Sequence, residues 1–346
     1  DEYNVLSESE KITKRSGPFY GRNAGSSLRL YDAAQDSGTR VLLGGHGGDE
    51  VVSHGFGRLR GLAQGGRWFQ LFRELRGLST SGGFQASTSL LLLGFISKFG
   101  SDATQRGLWA RPRNFMSRLA GAAHRRLTPL LGSQTEGLSW EDLIDPKFAR
   151  SYNLKSRARE YQRELHNFEA DGAPAQARHY GTLSDSLQVE AFETLDQATA
   201  LYESELRYPF WDKRLVEFCL SLPPGQRLRN GWGRFILRQA MGQELPDEVL
   251  WREDKTDFTP PFREGLLSEK NKLRRLLVEE IHVADKYLDG ASVKKLYRKV
   301  AHSARGAASA QELALAWRTA ILISWLKGLS SQEENSRRSE ACDLGA

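Results

Sequence analysis

Across residues 26–36 (SSLRLYDAAQD) the apolar positions Leu28, Tyr31 and Ala34 recur every third residue, which predicts one face of a short helix. Ser37-Gly38 stops it. Residues 40–43 (RVLL) then predict a short buried strand that runs directly into GGHGGDE. Helix, strand and glycine-rich turn in that order predict a parallel α/β sheet with its ligand site at the strand's carboxyl end. Over 58–78 the positions Leu59, Leu62, Phe69, Phe72 and Leu75 fall on one face of a predicted helix. Residues 79–138 are rich in Gly, Ser, Arg and Ala and read as irregular cover, with a helix near 90–98. Beyond Ser139 the pattern is helical almost throughout, over 140–144, 157–172, 182–204, 213–221, 233–241, 266–284, 292–302 and 311–328. The polar residues 330–346 are expected to fray as a disordered tail. The expected fold is α/β with a predominantly helical C-terminal part on an incomplete parallel-sheet core. Its divisions are 1–57 (sheet remnant), 58–138 (cover), 139–329 (helical part) and 330–346 (tail).

With 39% apolar and 27% charged residues, the 346-residue chain can bury a core beneath an ordinary soluble surface. Its longest apolar run, Leu90 to Ile96, is far shorter than the ~20 residues a bilayer span needs. The polar start, DEYNVLSESEK, is no signal peptide and reads as the middle of something larger. Cys219 and Cys342 have no partner spacing for zinc or a disulfide framework, which fits a reducing, cytoplasmic setting. The net charge is +6. Its basic residues are scattered, with an excess between Arg106 and Arg126, and no nucleic-acid motif accompanies them. A solvated surface is expected, with no nucleic acid or membrane partner.

The glycine-rich turn is the first candidate for chemistry. Gly44, Gly45, Gly47 and Gly48 permit positive φ and let backbone amides approach an anion. Asp49 at the turn's end is a candidate oxygen ligand for Mg2+. An ordinary tight turn has the same residues, so other segments must decide.

Further segments carry the decision. Glu205-Leu206-Arg207-Tyr208-Pro209-Phe210-Trp211-Asp212 follows GHGGDE at a distance. Then come Asn230-Gly231 with Arg234 to Arg238, and Leu245-Pro246 with Val249-Leu250-Trp251-Arg252, closed by Lys255. In this order the segments resemble the asparagine synthetase family, whose synthetase domain is of the PP-loop, adenine nucleotide alpha-hydrolase type. The resemblance covers roughly 18–326. It implies ATP-dependent amide formation through an acyl-adenylate, with ATP and Mg2+ as cofactors. The acceptor is a small-molecule or peptide carboxylate, and the nitrogen is ammonia from a glutaminase domain or a substrate amine.

Position by position, the resemblance makes Asp49 the Mg2+-binding aspartate. Gly44, Gly45, Gly47 and Gly48 become the turn against the nucleotide's phosphates, and Lys255 the cation that neutralises pyrophosphate. Lys255 stands one residue later than in the usual W-R-x-K. His46 occupies a position at which a side chain either accepts a proton from the amine or hydrogen-bonds the turn. Glu205 and Asp212 read as structural, Asp212 as an N-cap for the helix that follows. Arg207 is left outside the core site, and Asp196 matches a family position without a defined role. His54, in V-S-H-G, resembles a subgroup that includes lasso peptide cyclases and reads as structural.

The family's S-G-G-x-D-S loop does not occur upstream of Gly44, and only residues 1–43 precede that turn. Residues 81–86 (SGGFQA) lack the aspartate, follow no strand and are rejected. No glutaminase domain is present. The expectation is therefore either a fragment of a longer ligase or a degenerate relative. The competing readings are a macrolactam or lasso peptide cyclase and a non-catalytic interaction module.

Overall fold

The computed structural model describes residues 4–18, 24–81, 92, 138–169, 175–252, 258–302 and 308–343. The expected cover over 79–138 and its helix near 90–98 lie largely outside these residues. Among the described residues the fold is mostly helical, with a parallel pair of strands and a separate small hairpin.

Helix α1 (Val5–Ser16) was not apparent from the apolar pattern. Its buried positions are Val5, Leu6, Ser9, Ile12 and Thr13, which recur at helical steps although two of them are polar. Ser9 and Thr13 satisfy their hydroxyls on the carbonyls of Val5 and Ser9, each at 2.8 Å. Val5 and Leu6 enter the large C-terminal core, whereas Ile12 packs with Leu28, Tyr31 and Ala198 in a smaller one. One helix thus ties the sheet region to the helical region.

Helix α2 (Ala24–Asp36) covers the predicted segment. Strand β1 (Val41–Leu43) follows, where a strand was predicted. It is not the buried strand expected: Leu43 is 74% and Val41 42% exposed, and Leu42 packs on the smaller core. A pair of strands with helices on one side buries only alternate residues.

The predicted helix over 58–78 is two helices, α3 (Gly57–Gln64) and α4 (Trp68–Ser81). Gly65-Gly66 breaks it, with Gly66 at φ +66°. The break rotates the second half, so Leu71, Leu75 and Leu78 are buried while Phe69 is 80% exposed. The predicted helix over 182–204 is α6 (Ser186–Ala200), and its first two residues belong instead to the end of a preceding helix, α5 (Ala175–Leu183). Asp185 starts α6 by accepting the Leu187 amide at 2.9 Å.

Strand β2 (Glu205–Arg207) pairs with β1 in parallel, Val41 opposite Glu205 and Leu43 opposite Arg207. Helix α7 (Lys213–Ser221) has the predicted bounds, and Asp212 caps it by accepting the Arg214 amide at 2.9 Å. Arg214 and that amide hold the Asp212 carboxyl down to about 2. Strands β3 (Leu228–Arg229) and β4 (Trp232–Gly233) form a hairpin. Its loop, Asn230-Gly231, has both residues at positive φ, +51° and +81°, the requirement of a type I′ turn. Helix α8 (Phe235–Ala240) follows the hairpin.

The C-terminal core is built by α9 (Thr259–Ser268), α10 (Gly290–His302) and α11 (Ala310–Asp343), with broken turns between the first two. Helix α11 continues to Asp343, past 330, where fraying was expected. Its Trp317 is fully buried, donates Nε1–H to Ser9 Oγ at 3.2 Å and meets the Phe262 ring edge-on. Among the described residues no helix is long and apolar enough to cross a membrane.

One contact fixes the hairpin against α4. Glu74 is wholly buried and accepts from Arg58 Nη2 at 3.2 Å and the Gly231 amide at 3.1 Å. The backbones approach so closely that a Cβ on Gly77 would lie 2.1 Å from the Asn230 carbonyl oxygen. Gly77→Ala is therefore expected to destabilise by at least about 3 kcal/mol, since the colliding atoms are backbone. Gly328→Ala, an exposed helical position with open space around it, is expected to be neutral or slightly stabilising. Chemical denaturation of the two variants checks the contrast.

Candidate functional site

The parallel register carries β1 and β2 to the same edge. There the Gly44 amide donates to the Arg207 carbonyl at 2.7 Å, one step past the strands. Both chains then turn. After β1 comes the glycine-rich turn, which winds into a π-helical turn at Gly48–Ser53. After β2 comes a short 3-10 turn, Pro209–Trp211. The turns pack face to face: Gly47 sits at φ +96°, and a Cβ there would lie 2.5 Å from Trp211 Nε1. Glycine is required at 47 both by conformation and by that indole.

A cavity of about 290 Å³ opens beside this turn, lined by Gly45, Gly47, Asp49, Phe210, Arg234 and Leu237 among others. Gly45 is exposed, with open space where a side chain would stand, so a ligand can reach its backbone. Gly44, Gly45, Gly47, Gly48 and Asp49 thus lie together as predicted, although the Gly44 amide is already engaged.

Asp49 does not stand alone. Its Oδ1 is 2.9 Å from Arg234 Nη2 and 3.2 Å from His54 Nε2. Arg234 follows the hairpin and holds a left-handed backbone at φ +52°, uncommon for a residue with a side chain and concentrated at functional sites. His54 stacks on Phe56, their rings at 5.4 Å and nearly parallel. The sequence reading left Arg234 outside the site and took His54 as structural. The signal for Arg234 is its place three residues after Gly231, in Asn-Gly-x-x-Arg. Among the described residues there is no group of three or more His, Cys, Asp or Glu that could hold a metal ion.

His46 points into an aromatic box. Its ring stacks on Trp211 and meets Phe192 and Tyr208 edge-on, with centroids 5.1–6.1 Å away. Nε2 is buried without a hydrogen-bond partner, as are Tyr208 Oη and Trp211 Nε1. Burial, followed by the charge of Asp196, pushes the Tyr208 hydroxyl upward. Glu205 and Arg207 pair with each other at 2.8 Å in the open, away from the lining of the cavity.

Lys255 lies outside the described residues. The segment leading to it is held by Arg238, whose Nε donates to the Gly233 carbonyl at 3.1 Å. Its Nη1 donates to the Leu250 carbonyl and its Nη2 to that of Arg252 at 3.3 Å. The guanidinium also lies over the rings of Trp232 and Trp251, which meet each other edge-on. A planar fork is needed for three carbonyls at once.

The family model for asparagine synthase matches residues 3–327. The glutamine-hydrolyzing asparagine synthetases of Mus musculus and Homo sapiens are each 36% identical to the chain over 104 residues, 29% of this chain and 18% of theirs. That of Gallus gallus is 34% identical over 107 residues, 30% of this chain and 18% of its own length. The matched stretch thus spans less than a fifth of these relatives. No solved structure matches the chain.

Arg238→Lys keeps the charge and removes the fork. It is expected to release the Leu250–Arg252 backbone and to raise tryptic cleavage after Arg252 by about tenfold or more, equivalent to one lost charged hydrogen bond. Cleavage at an unchanged rate would deny Arg238 this role.

Proposed function

The chain belongs to the asparagine synthase family, and we propose that it carries an ATP-dependent, amide-forming site at the glycine-rich turn. The observation behind this reading is that one cavity brings together the turn, Asp49 and the guanidinium of Arg234. ATP held there would supply an activated α-phosphorus, with pyrophosphate leaving when a carboxylate is joined to it and AMP leaving when an amine takes its place. What this chain contributes is binding and charge. Arg234 offers a fixed cation to a phosphate oxygen, and the Gly45 backbone offers close approach. The acceptor in this reading is a small-molecule or peptide carboxylate, and the nitrogen is ammonia or a substrate amine.

Three expectations take a different form here. Magnesium is assigned no place: Asp49 and Glu50 both line the cavity, but Asp49 is already paired with Arg234, and among the described residues no group of three or more His, Cys, Asp or Glu could hold the ion. No step is derived through the ion. His46 anchors the turn through its ring contacts and has Nε2 buried; because it also lines the cavity, Nδ1 is the nitrogen at which an amine proton would be accepted in this reading. Arg234 takes the place of the near cation, with Lys255 a further one from its own segment.

A second reading, a binding module without turnover, is favoured by the ion pair that Asp49 already makes with Arg234. Titration calorimetry of the chain with ATP separates the two. ATP is expected to bind, and Arg234→Gln to weaken it by about tenfold or more, the size of one charge-assisted hydrogen bond. Circular dichroism should remain that of the parent. No binding of ATP, with or without Mg2+, leaves the module reading.

A further inference from the structure

We propose that a second cavity, behind the π-helical turn and lined by Arg58, Arg178, His179 and Arg227, is a binding site for a phosphate-class oxyanion. It shares no lining residue with the cavity at Asp49, and the inference stands apart from the nucleotide reading.

Separate elements converge on it. Arg58 comes from α3, Arg178 and His179 from α5, and Arg227 from the short helix Pro224–Arg227 ahead of β3. Ser53 and Thr182 add hydroxyls, and among the described residues no carboxylate lines the space. Arg58 is balanced by Glu74, but among the described residues no carboxylate lies within ion-pair distance of Arg227. Arg227 is 3% exposed. Its Nη2 donates to the carbonyls of Cys219, Leu220 and Leu222 at 3.0–3.4 Å, which carry only partial charge, and its Nε is buried without a partner. Burying a guanidinium without a counter-charge is costly, and an anion in the neighbouring space removes that cost.

His179 narrows the class of anion. It is 5% exposed and donates Nε2–H to the Glu50 carbonyl at 2.8 Å. Burial and the nearby Arg227 charge both push its pKa down, so the ring is neutral. Its other nitrogen, Nδ1, is then a buried lone pair without a donor. An oxyanion that retains an O–H can give that hydrogen to Nδ1 while its other oxygens accept from the arginines. Hydrogen phosphate does this at neutral pH; sulfate has no proton to give. The cavity, about 100 Å³, is of the size for one such group.

Calorimetric titration of the whole chain with sodium phosphate at pH 7 and constant ionic strength tests the site. One phosphate is expected to bind, with sulfate at least tenfold weaker. Arg178→Gln and His179→Gln should each weaken phosphate by about tenfold or more, with helix content checked by circular dichroism; the half-buried Arg178 serves if the His179 variant does not fold. Phenyl phosphate competing with phosphate assigns the site to terminal monoesters as well, and its exclusion assigns it to the free ion; either result supports the site. No phosphate binding, equal binding of sulfate, or unchanged affinity in a folded Arg178→Gln variant overturns the proposal.

Discussion

A carboxylate with no access to water must find its hydrogen bonds inside the protein, and Glu74 finds them on Arg58 and on the amide of Gly231. That requirement sets the hairpin. With the loop pinned to α4 and the backbones in contact at Gly77, β4 has one position, and the two arginines that follow it inherit that position. Arg234 is delivered to Asp49, and Arg238 to the carbonyls of Gly233, Leu250 and Arg252. Three segments distant in sequence become one rigid assembly through a single buried acid.

The motifs of the family thereby acquire mechanical roles. The segment Pro209-Phe210-Trp211 is the floor on which the glycine-rich turn rests, because Gly47 and Gly48 lie against Trp211 and Phe210. The Asn-Gly pair permits the tight loop that positions Arg234. The guanidinium of Arg238 lies over the rings of both Trp232 and Trp251. Asp49 is held by the Arg234 guanidinium, with Glu50 also in the lining, so the fixed cation beside the turn is Arg234.

Much of the local structure was legible in the residues. Helix Lys213–Ser221 and its cap Asp212 followed from an apolar face beginning directly after an aspartate, and the strand and turn at 41–49 followed from glycines after an apolar run. Other parts were not, for definite reasons. In α1 the core positions Ser9 and Thr13 are polar and satisfy themselves on their own helix, so hydropathy hides the buried face. The pair Gly65-Gly66 divides what looked like one helix, and an Asn-Gly hairpin with strands of two residues offers no alternation to detect. His54, Arg234 and the arginines around His179 come together only through tertiary contacts, and no local spacing announces them. Lys255 falls outside the described residues.

The pairing of α1 with α11 has a consequence for how such a chain emerges from a ribosome. Ser9 and Trp317, which share a buried hydrogen bond, are 308 positions apart. At about 5–20 residues per second, roughly 15–60 s pass between the synthesis of one and of the other. Throughout that interval Ile12 can already pack on Leu28 and Tyr31 of α2, whereas Val5, Leu6 and Ser9 wait for partners from the C-terminal core. The N-terminal end of that helix therefore completes its packing only after the distant partner has been made.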